Sequence, residues 1–422
     1  MKNKTLVLII LLITGIMFSA SMEDYVSVEG LPKTLDEANY SLKIRGETAN
    51  SAYEVFTFEP FEWKNIQWEN HLLIILPEEV ESKTALVFIT GDYTFDRDFL
   101  SIFNSIAVKN KACVAVLFDI PNQPLFGNLK EDWLIAYTFD KFLETRDFTW
   151  PMLLPMVRAT IASMNMVQSY VSNIKHDVEY FILSGASKRG WTTWLTSAFD
   201  NRVKAIAPIA YDNLNIKDQM NHQLEFWGSY SKSIDEYVSS GILSDLEDKD
   251  RIDLLEFVDP FSYIDRIDIP KLIIVGTNDP YWPVDAVKLY YDKLKGTKGI
   301  VYAPNKGHGA ETHRIVNAIN ALFITVEENK SLPLAKATYE ITDNSLVIKT
   351  EIIENSWELK EKRVFHAYSN IQDFRNAFFH SKAFESDEIK LEINNYTAFY
   401  VECEFSYNGT SFTICTPVDI VY

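Results

Sequence analysis

The stretch SGASKRGW, residues 184–191, decides the fold. An apolar run, residues 180–183, leads into it, and a helix-like run, residues 191–199, leaves it. Between them Gly185, Ala186 and Gly190 are small enough for a strand to turn straight into a helix, with Ser187 at the corner. A helix starting there aims its unpaired N–H groups at the same point. This is the pattern of a nucleophile elbow. It departs from G-x-S-x-G in one respect: Arg189 holds the last glycine position and Gly190 follows one place later. The competing reading makes Ser187 a plain helix N-cap.

Working outward, apolar strand-like runs occur at 72–76, 85–90, 112–118, 180–184, 203–210, 271–276 and 299–303. Helical patterns fall at 131–145, 155–173, 188–199, 285–295 and 310–327. Strands that are apolar throughout and alternate with helices predict an α/β, doubly wound, mostly parallel sheet covered on both faces. The runs at 72–76 and 85–90 lack an intervening helix and are expected to pair as an antiparallel lead-in. Residues 22–50 read as a loose leader with one helical stretch. Residues 212–262, aromatic and acidic, interrupt the alternation and predict a lid over the C-terminal edge of the sheet. Residues 335–422 turn to alternating, β-branched runs without a helix, which predicts a small C-terminal β-sandwich.

A nucleophilic serine needs a base, and the base needs an orienting acid. Both follow in the order this architecture requires. Asp279 stands in the loop after strand 271–276, and His308 stands between Gly307 and Gly309 in the loop after strand 299–303. Each sits just past the C-terminal end of a strand, where an open sheet collects its ligands. The rivals are Asp285, read as the cap of helix 285–295, and His313 and His222. The oxyanion requires two donors: the backbone N–H of Lys188 and one from the loop Gly91-Asp92-Tyr93, of which Asp92 is the candidate. The Lys188 side chain either adds charge to that site or is a solvent-exposed or ion-paired lysine. Arg189 either braces the elbow or binds a substrate carboxylate. Tyr93, Tyr211, Asp212, Trp227 and Trp282 are candidates for lining the substrate pocket, with ordinary packing as the alternative.

The formal net charge of −19 excludes nucleic acid as the main partner, which demands a basic face. Nine acids crowd residues 234–259, a pattern of a solvated helical surface. At the N-terminus Lys2 and Lys4 precede an apolar run ending in Ser19, Ala20 and Ser21, which reads as a signal peptide over residues 1–21 and predicts a secreted, envelope or periplasmic protein without a stable membrane span. Of the three cysteines, Cys113 lies in an apolar strand. Cys403 and Cys415 flank the hairpin signal Asn408-Gly409: a two-residue turn sets Cys403 opposite Ile414, a three-residue loop sets it opposite Cys415, so a disulfide stays open. No Cys or His cluster has metal-ligand spacing, so neither metal nor cofactor is expected.

Longer stretches carry a resemblance. Residues 120–125 (IPNQPL), 135–142 (IAYTFDKF), 150–157 (WPMLLPMV), 185–195, 269–274 (IPKLII) and 372–375 (QDFR) resemble the PhoPQ-activated pathogenicity-related protein family. The resemblance implies an α/β-hydrolase fold with an appended β domain in a secreted or envelope protein, and a Ser-Asp-His set at Ser187, Asp279 and His308. The G-x-S-x-R-G elbow is also similar to the glucuronoyl-esterase type, whose residue after the serine helps hold the oxyanion. The family has Gly-Gly after the third strand where this chain has Gly91-Asp92, which leaves the second oxyanion donor open. The resulting expectation is a serine hydrolase acting on an ester, with a small molecule, a glycan ester or a peptide as substrate. The alternative is a catalytically silent extracellular signalling or binding protein with a cell-surface partner. A further reading gives the β domain a glycan site at Trp357, Tyr396, Phe399 and Tyr400.

Overall fold

The computed structural model describes residues 21–26, 29–353 and 356–422. The expected signal peptide lies outside the described residues, apart from Ser21. The described chain begins with an antiparallel ribbon, β1 (Ser41–Glu47) and β2 (Ser51–Phe58), a small hairpin of β3 (Glu62–Trp63) and β4 (Ile66–Gln67), and β5 (Asn70–Pro77). There follow β6 (Thr84–Ile89), α1 (Arg97–Asn110), β7 (Val114–Leu117), α2 (Glu131–Thr145), α3 (Leu153–Ser172), β8 (Tyr180–Ala186), α4 (Lys188–Phe199) and β9 (Val203–Ile209). Three helices, α5 (Ile216–Trp227), α6 (Asp235–Ser239) and α7 (Lys249–Val258), separate β9 from β10 (Lys271–Gly276). Then come β11 (Lys298–Ala303) and α8 (Thr312–Glu327). The remainder is all strand: β12 (Leu334–Thr342), β13 (Ser345–Ile353), β14 (Glu358–Ser369), β15 (His380–Ala383), β16 (Glu388–Glu392), β17 (Tyr396–Tyr407), β18 (Thr410–Cys415) and β19 (Asp419–Val421).

One sheet runs through the molecule in the order β1-β2-β5-β7-β6-β8-β9-β10-β11-β18-β17-β14-β15. From β7 to β11 neighbouring strands are parallel. These strands are apolar throughout because both faces are covered. Along β10, Ile273 and Val275 join the core beneath α3 and α4, while Leu272 and Ile274 join the core beneath α1 and α8. The C-terminal strands extend the same sheet through an antiparallel pairing of Ile300 on β11 with Cys415 on β18. A second layer, β12-β13-β16, covers them, and Leu346, Ile348, Ile389 and Leu391 pack into the core that also holds Ile319 and Leu322 of α8.

Several expectations are corrected. The runs at 72–76 and 85–90 do not pair with each other: β7 lies between them, antiparallel to β5 and parallel to β6. Among the described residues, the leader at 22–50 holds strand β1 and two short 3-10 turns rather than a loose segment with one helical stretch. Helix 285–295 is replaced by two short 3-10 turns at Ala286–Leu289 and Tyr291–Lys293. The hairpin takes the two-residue register, Tyr407 opposite Thr410, so Cys403 faces Ile414 and Cys415 faces Glu402; all three cysteines are free and buried. Trp357, Phe399 and Tyr400 are core residues, not a glycan face.

Candidate active site

Ser187 occupies the single-residue corner between β8 and α4, at φ 59° and ψ −127°. A non-glycine residue holds this conformation only where its surroundings over-determine it. They do so here: Ser187 N–H donates to Ile209 O at 2.8 Å. A Cβ on Gly185 would meet Arg189 O at 2.8 Å, and one on Gly190 would meet Ile209 O at 3.0 Å. The two glycines therefore mark close backbone approaches on either side of the serine. Ser187 makes no side-chain cap to its own helix; its hydroxyl points elsewhere.

It points to His308. Ser187 Oγ and His308 Nε2 are 2.8 Å apart, and His308 Nδ1 is 2.8 Å from Asp279 Oδ2. The carboxylate only accepts, so Nδ1 carries the proton and Nε2 is left to accept from the serine hydroxyl. Asp279 is almost wholly buried, with its side chain 3% exposed, and its other oxygen accepts from the Tyr281 N–H at 2.9 Å. The Tyr281 ring stacks on the imidazole at 4.1 Å. The order of strands produces this meeting: β8, β9, β10 and β11 are adjacent and parallel, so the loops after β8, β10 and β11 emerge on one edge.

The residues flanking Ser187 are spoken for. Arg189 donates two hydrogen bonds of 2.8 Å to the two carboxylate oxygens of Glu131 and a third to Ile120 O. It braces the elbow against α2, and its guanidinium is not free for substrate. Lys188 is buried, with its ammonium 2.8 Å from Glu131 and 3.1 Å from Asp132. Burial works against the charge on Glu131, but the hydrogen bonds and charge of Arg189, with Lys188 added, outweigh it and hold that carboxyl well below the usual range. The backbone N–H of Lys188 is the first of helix α4, where the helix itself supplies no acceptor one turn earlier.

An apolar pocket of about 60 Å³ opens beside Ser187, walled by Trp191, Tyr211, Met220, Tyr281, Trp282 and Leu243 among others. Residues from the 212–262 segment, Met220, Tyr237 and Leu255 among them, form part of its wall. Trp191 Nε1–H donates to Val258 O at 2.6 Å, Tyr237 O–H to Asp132 at 2.9 Å and Gln223 Nε2–H to Tyr281 O at 3.0 Å, so that segment is fastened to the elbow helix, to α2 and to the acid loop. The structure thus brings together Ser187, Lys188, Tyr211, Trp282, His308 and Asp279. The side chains of the other candidates are engaged elsewhere. Tyr93 stacks on His71 at 4.1 Å and gives its N–H to Asp119. The Asp92 side chain pairs with Lys130 and Gln123. Trp227 lies under Arg375. Asp212 sits behind the pocket, accepting from Tyr290 O–H at 2.7 Å; burial, with the charges of Asp279 and Asp285 behind it, pushes its carboxyl up to about 7. The rivals His222 and Asp285 bond each other at 2.9 Å, and His313 lines a separate polar cleft beside Arg314 and Glu402. Glu131, Asp132, Tyr237 and Tyr281 were not singled out from the sequence; only the acidic start of the 131–145 pattern hinted at the first two. Among the described residues no group of three or more His, Cys, Asp and Glu is placed to hold a metal ion, and no helix is long and apolar enough to cross a membrane.

Comparison with known proteins agrees with this architecture. The profile of the family described as PhoPQ-activated pathogenicity-related protein matches residues 23–375. A relative, the autocrine proliferation repressor protein A of Dictyostelium discoideum, is 29% identical over 327 residues, 74% of this chain; the match spans 66% of the relative's length. The crystal structure of acetyl xylan esterase 1 from Thermoanaerobacterium sp. JW/SL YS485 superimposes with a TM-score of 0.50 at 16% identity, over 71% of this chain and 97% of the esterase. At that identity the likeness speaks for the α/β-hydrolase fold alone. The chain belongs to the PhoPQ-activated pathogenicity-related protein family.

Proposed function

We propose that this family member is an exported serine hydrolase that cleaves esters by acyl transfer. The observation carrying the proposal is the unbroken run Ser187–His308–Asp279, two bonds of 2.8 Å ending on a strained corner at the mouth of an apolar pocket. Ser187 Oγ attacks the carbonyl carbon while Nε2 of His308 takes its proton. Asp279 holds the other ring nitrogen protonated and stabilises the imidazolium that forms. The oxyanion accepts from the Lys188 N–H at the head of α4. The second donor is assigned to the loop Gly91-Asp92-Tyr93, with the Asp92 backbone N–H as the candidate; the Tyr93 N–H is already given to Asp119. Collapse of the tetrahedral intermediate breaks the ester C–O bond, and His308 returns the proton to the leaving alkoxide. Water then repeats the sequence on the acyl-enzyme and releases the acid.

The pocket favours a short acyl group: its volume of about 60 Å³ equals only a few water-sized spheres. Tyr211 and Trp282 wall it. An ester is favoured over a peptide because Lys188 and Asp132, the charged groups at the pocket wall, are ion-paired with each other, and Lys188 also with Glu131, so that neither is free to anchor a chain terminus. Export follows from the basic and apolar N-terminal segment.

A second reading is an extracellular signalling protein, favoured by the likeness to a relative named as an autocrine proliferation repressor. One experiment separates the two. The protein is treated with a fluorophosphonate and the adduct mapped by peptide mass spectrometry. An adduct on Ser187, lost in Ser187→Ala, is the expected result. Folded protein that takes no label, together with partner binding that survives Ser187→Ala, would move the assignment to signalling.

A further inference from the structure

The loops carrying the acid and the base are both tied to a third segment, contributed by the C-terminal strands. It is the turn between β14 and β15. Asn278, immediately before Asp279, directs its side-chain amide at the carbonyls of Phe374, Arg375 and Ala377, at 3.1, 3.2 and 2.7 Å. Asn278 Oδ1 accepts from Thr277 O–H at 2.8 Å, and Thr277 Oγ1 accepts from the Asn305 N–H at 2.8 Å. Asn305, three residues before His308, returns to the same turn: its Nδ2–H donates to Phe379 O at 3.0 Å, and the Phe379 N–H donates to its Oδ1 at 2.7 Å. The hydrogen bonds close a ring through the turn, the acid loop and the base loop.

The turn is itself fixed. Phe374 and Phe379 are buried, and the Phe379 ring lies 6.0 Å from Tyr400, which lies 4.7 Å from Tyr302 on β11. On its outer side Arg375, held by Asp373, sits 3.9 Å over the Trp227 ring at the end of α5. One segment therefore touches the acid loop, the base loop and the 212–262 segment. Its contacts with both loops need a carboxamide, which carries donors and an acceptor on one side chain. A carboxylate at 278 would set a negative charge against three carbonyl oxygens.

We infer that the 374–379 turn is a positioning element of the catalytic relay, acting through Asn278 and Asn305 to set the Asp279–His308 spacing. The inference rests on the serine-hydrolase reading of the site. It makes the C-terminal strands part of the framework of the active centre.

The test uses the full chain with p-nitrophenyl acetate, with rates expressed per fluorophosphonate-titrated serine. Asn278→Asp is expected to lower kcat by up to about 100-fold, the scale of a misplacement of roughly 1 Å, with KM little changed. Asn305→Asp, which keeps the acceptor and loses one donor, is expected to lose less and carries the test if Asn278→Asp does not fold. In an Asp279→Asn background neither substitution should cost anything further, because residues acting as one unit are not additive. Amide exchange in segments 277–281 and 305–309 should rise in both variants. Losses that simply add to that of Asp279→Asn, or a change in stability with kcat per titrated site intact, would overturn the inference while leaving the hydrolase reading in place. Absence of a titratable serine in the unmodified protein would remove both.

Discussion

Gly276→Ala is a one-atom-scale probe of the base loop. Gly276 ends β10 directly against that loop, and a Cβ built there would lie 2.0 Å from Gly307 O and 2.5 Å from Lys306 O. Both are backbone atoms, and the Lys306 carbonyl is held by the Asn278 N–H at 2.9 Å, so no side chain can swing aside. Relief to an ordinary carbon–oxygen contact of roughly 3.3 Å requires residues 306–307 to withdraw by about 1 Å. His308 is the next residue, and its bonds of 2.8 Å to Ser187 and Asp279 would stretch out of reach. A displacement of this size costs on the order of 100-fold in rate, or about 2.7 kcal/mol in the barrier. The assay is the second-order rate of fluorophosphonate labelling, measured on variants whose circular dichroism matches the parent. Gly307→Ala is the control: its nearest neighbour would be Asn278 O at 3.9 Å, and it should label at nearly the parent rate. Equal labelling by Gly276→Ala, or equal impairment of Gly307→Ala, would refute the reasoning.

Other outcomes follow from the charges and thiols around the site. Glu131 has its carboxyl held below the usual range, the pull of Arg189 and Lys188 winning over burial, so its contribution to stability is complete above the unfolded value of 4.5 and is lost as pH falls through the depressed folded value. Glu131→Gln should lower the Tm at pH 7, and the gap should close as the solution is acidified toward pH 2. Asp212 is the opposite case: its folded carboxyl titrates near 7 because it is buried beside Asp279 and Asp285, so ionisation penalises the folded state once pH passes the unfolded value. Asp212→Asn, which keeps an oxygen for Tyr290, should match the parent near pH 3 and exceed it above pH 7, with an upper bound of about 4 kcal/mol; a denaturant series at the two pH values reads it. Cys403 and Cys415 face different partners, so alkylation should require denaturant and should find three free thiols without prior reduction.

The parallel sheet was legible because burial on two faces leaves a plain mark, an apolar run with no alternation. Lys271–Gly276 shows it, with every residue buried. The pairing of those runs was not legible, since nothing local says that β7 slots between β5 and β6. The 285–295 segment has apolar residues at helical spacing, yet the chain breaks at Tyr290, whose φ is −140°. Tertiary contacts win there: Tyr290 is buried with its hydroxyl on Asp212, and the ammonium of Lys298 takes the carbonyls of Tyr291 and Leu294. Ser187, Asp279 and His308 could be picked out because each sits in the connection just past a strand end, and those strand ends share an edge.

The residues beside Ser187 show where such reasoning stops. Position in sequence sets the backbone at the elbow, so the Lys188 N–H at the head of α4 follows from the strand–turn–helix pattern itself. It does not set what the side chains meet. Lys188 and Arg189 lie against Glu131 and Asp132, the first residues of a helix more than fifty positions earlier. Two cations and two carboxylates there cancel, and the pocket beside the serine, in whose wall Lys188 and Asp132 are paired, is otherwise mostly apolar. That cancellation, invisible in the octapeptide, is what the proposed preference for a small uncharged acyl group rests on. Asp132→Asn would leave a cation uncompensated next to Ser187 while keeping the Glu131–Arg189 brace, and should shift kcat/KM from neutral toward anionic esters; an unchanged ratio between the two ester classes would refute it.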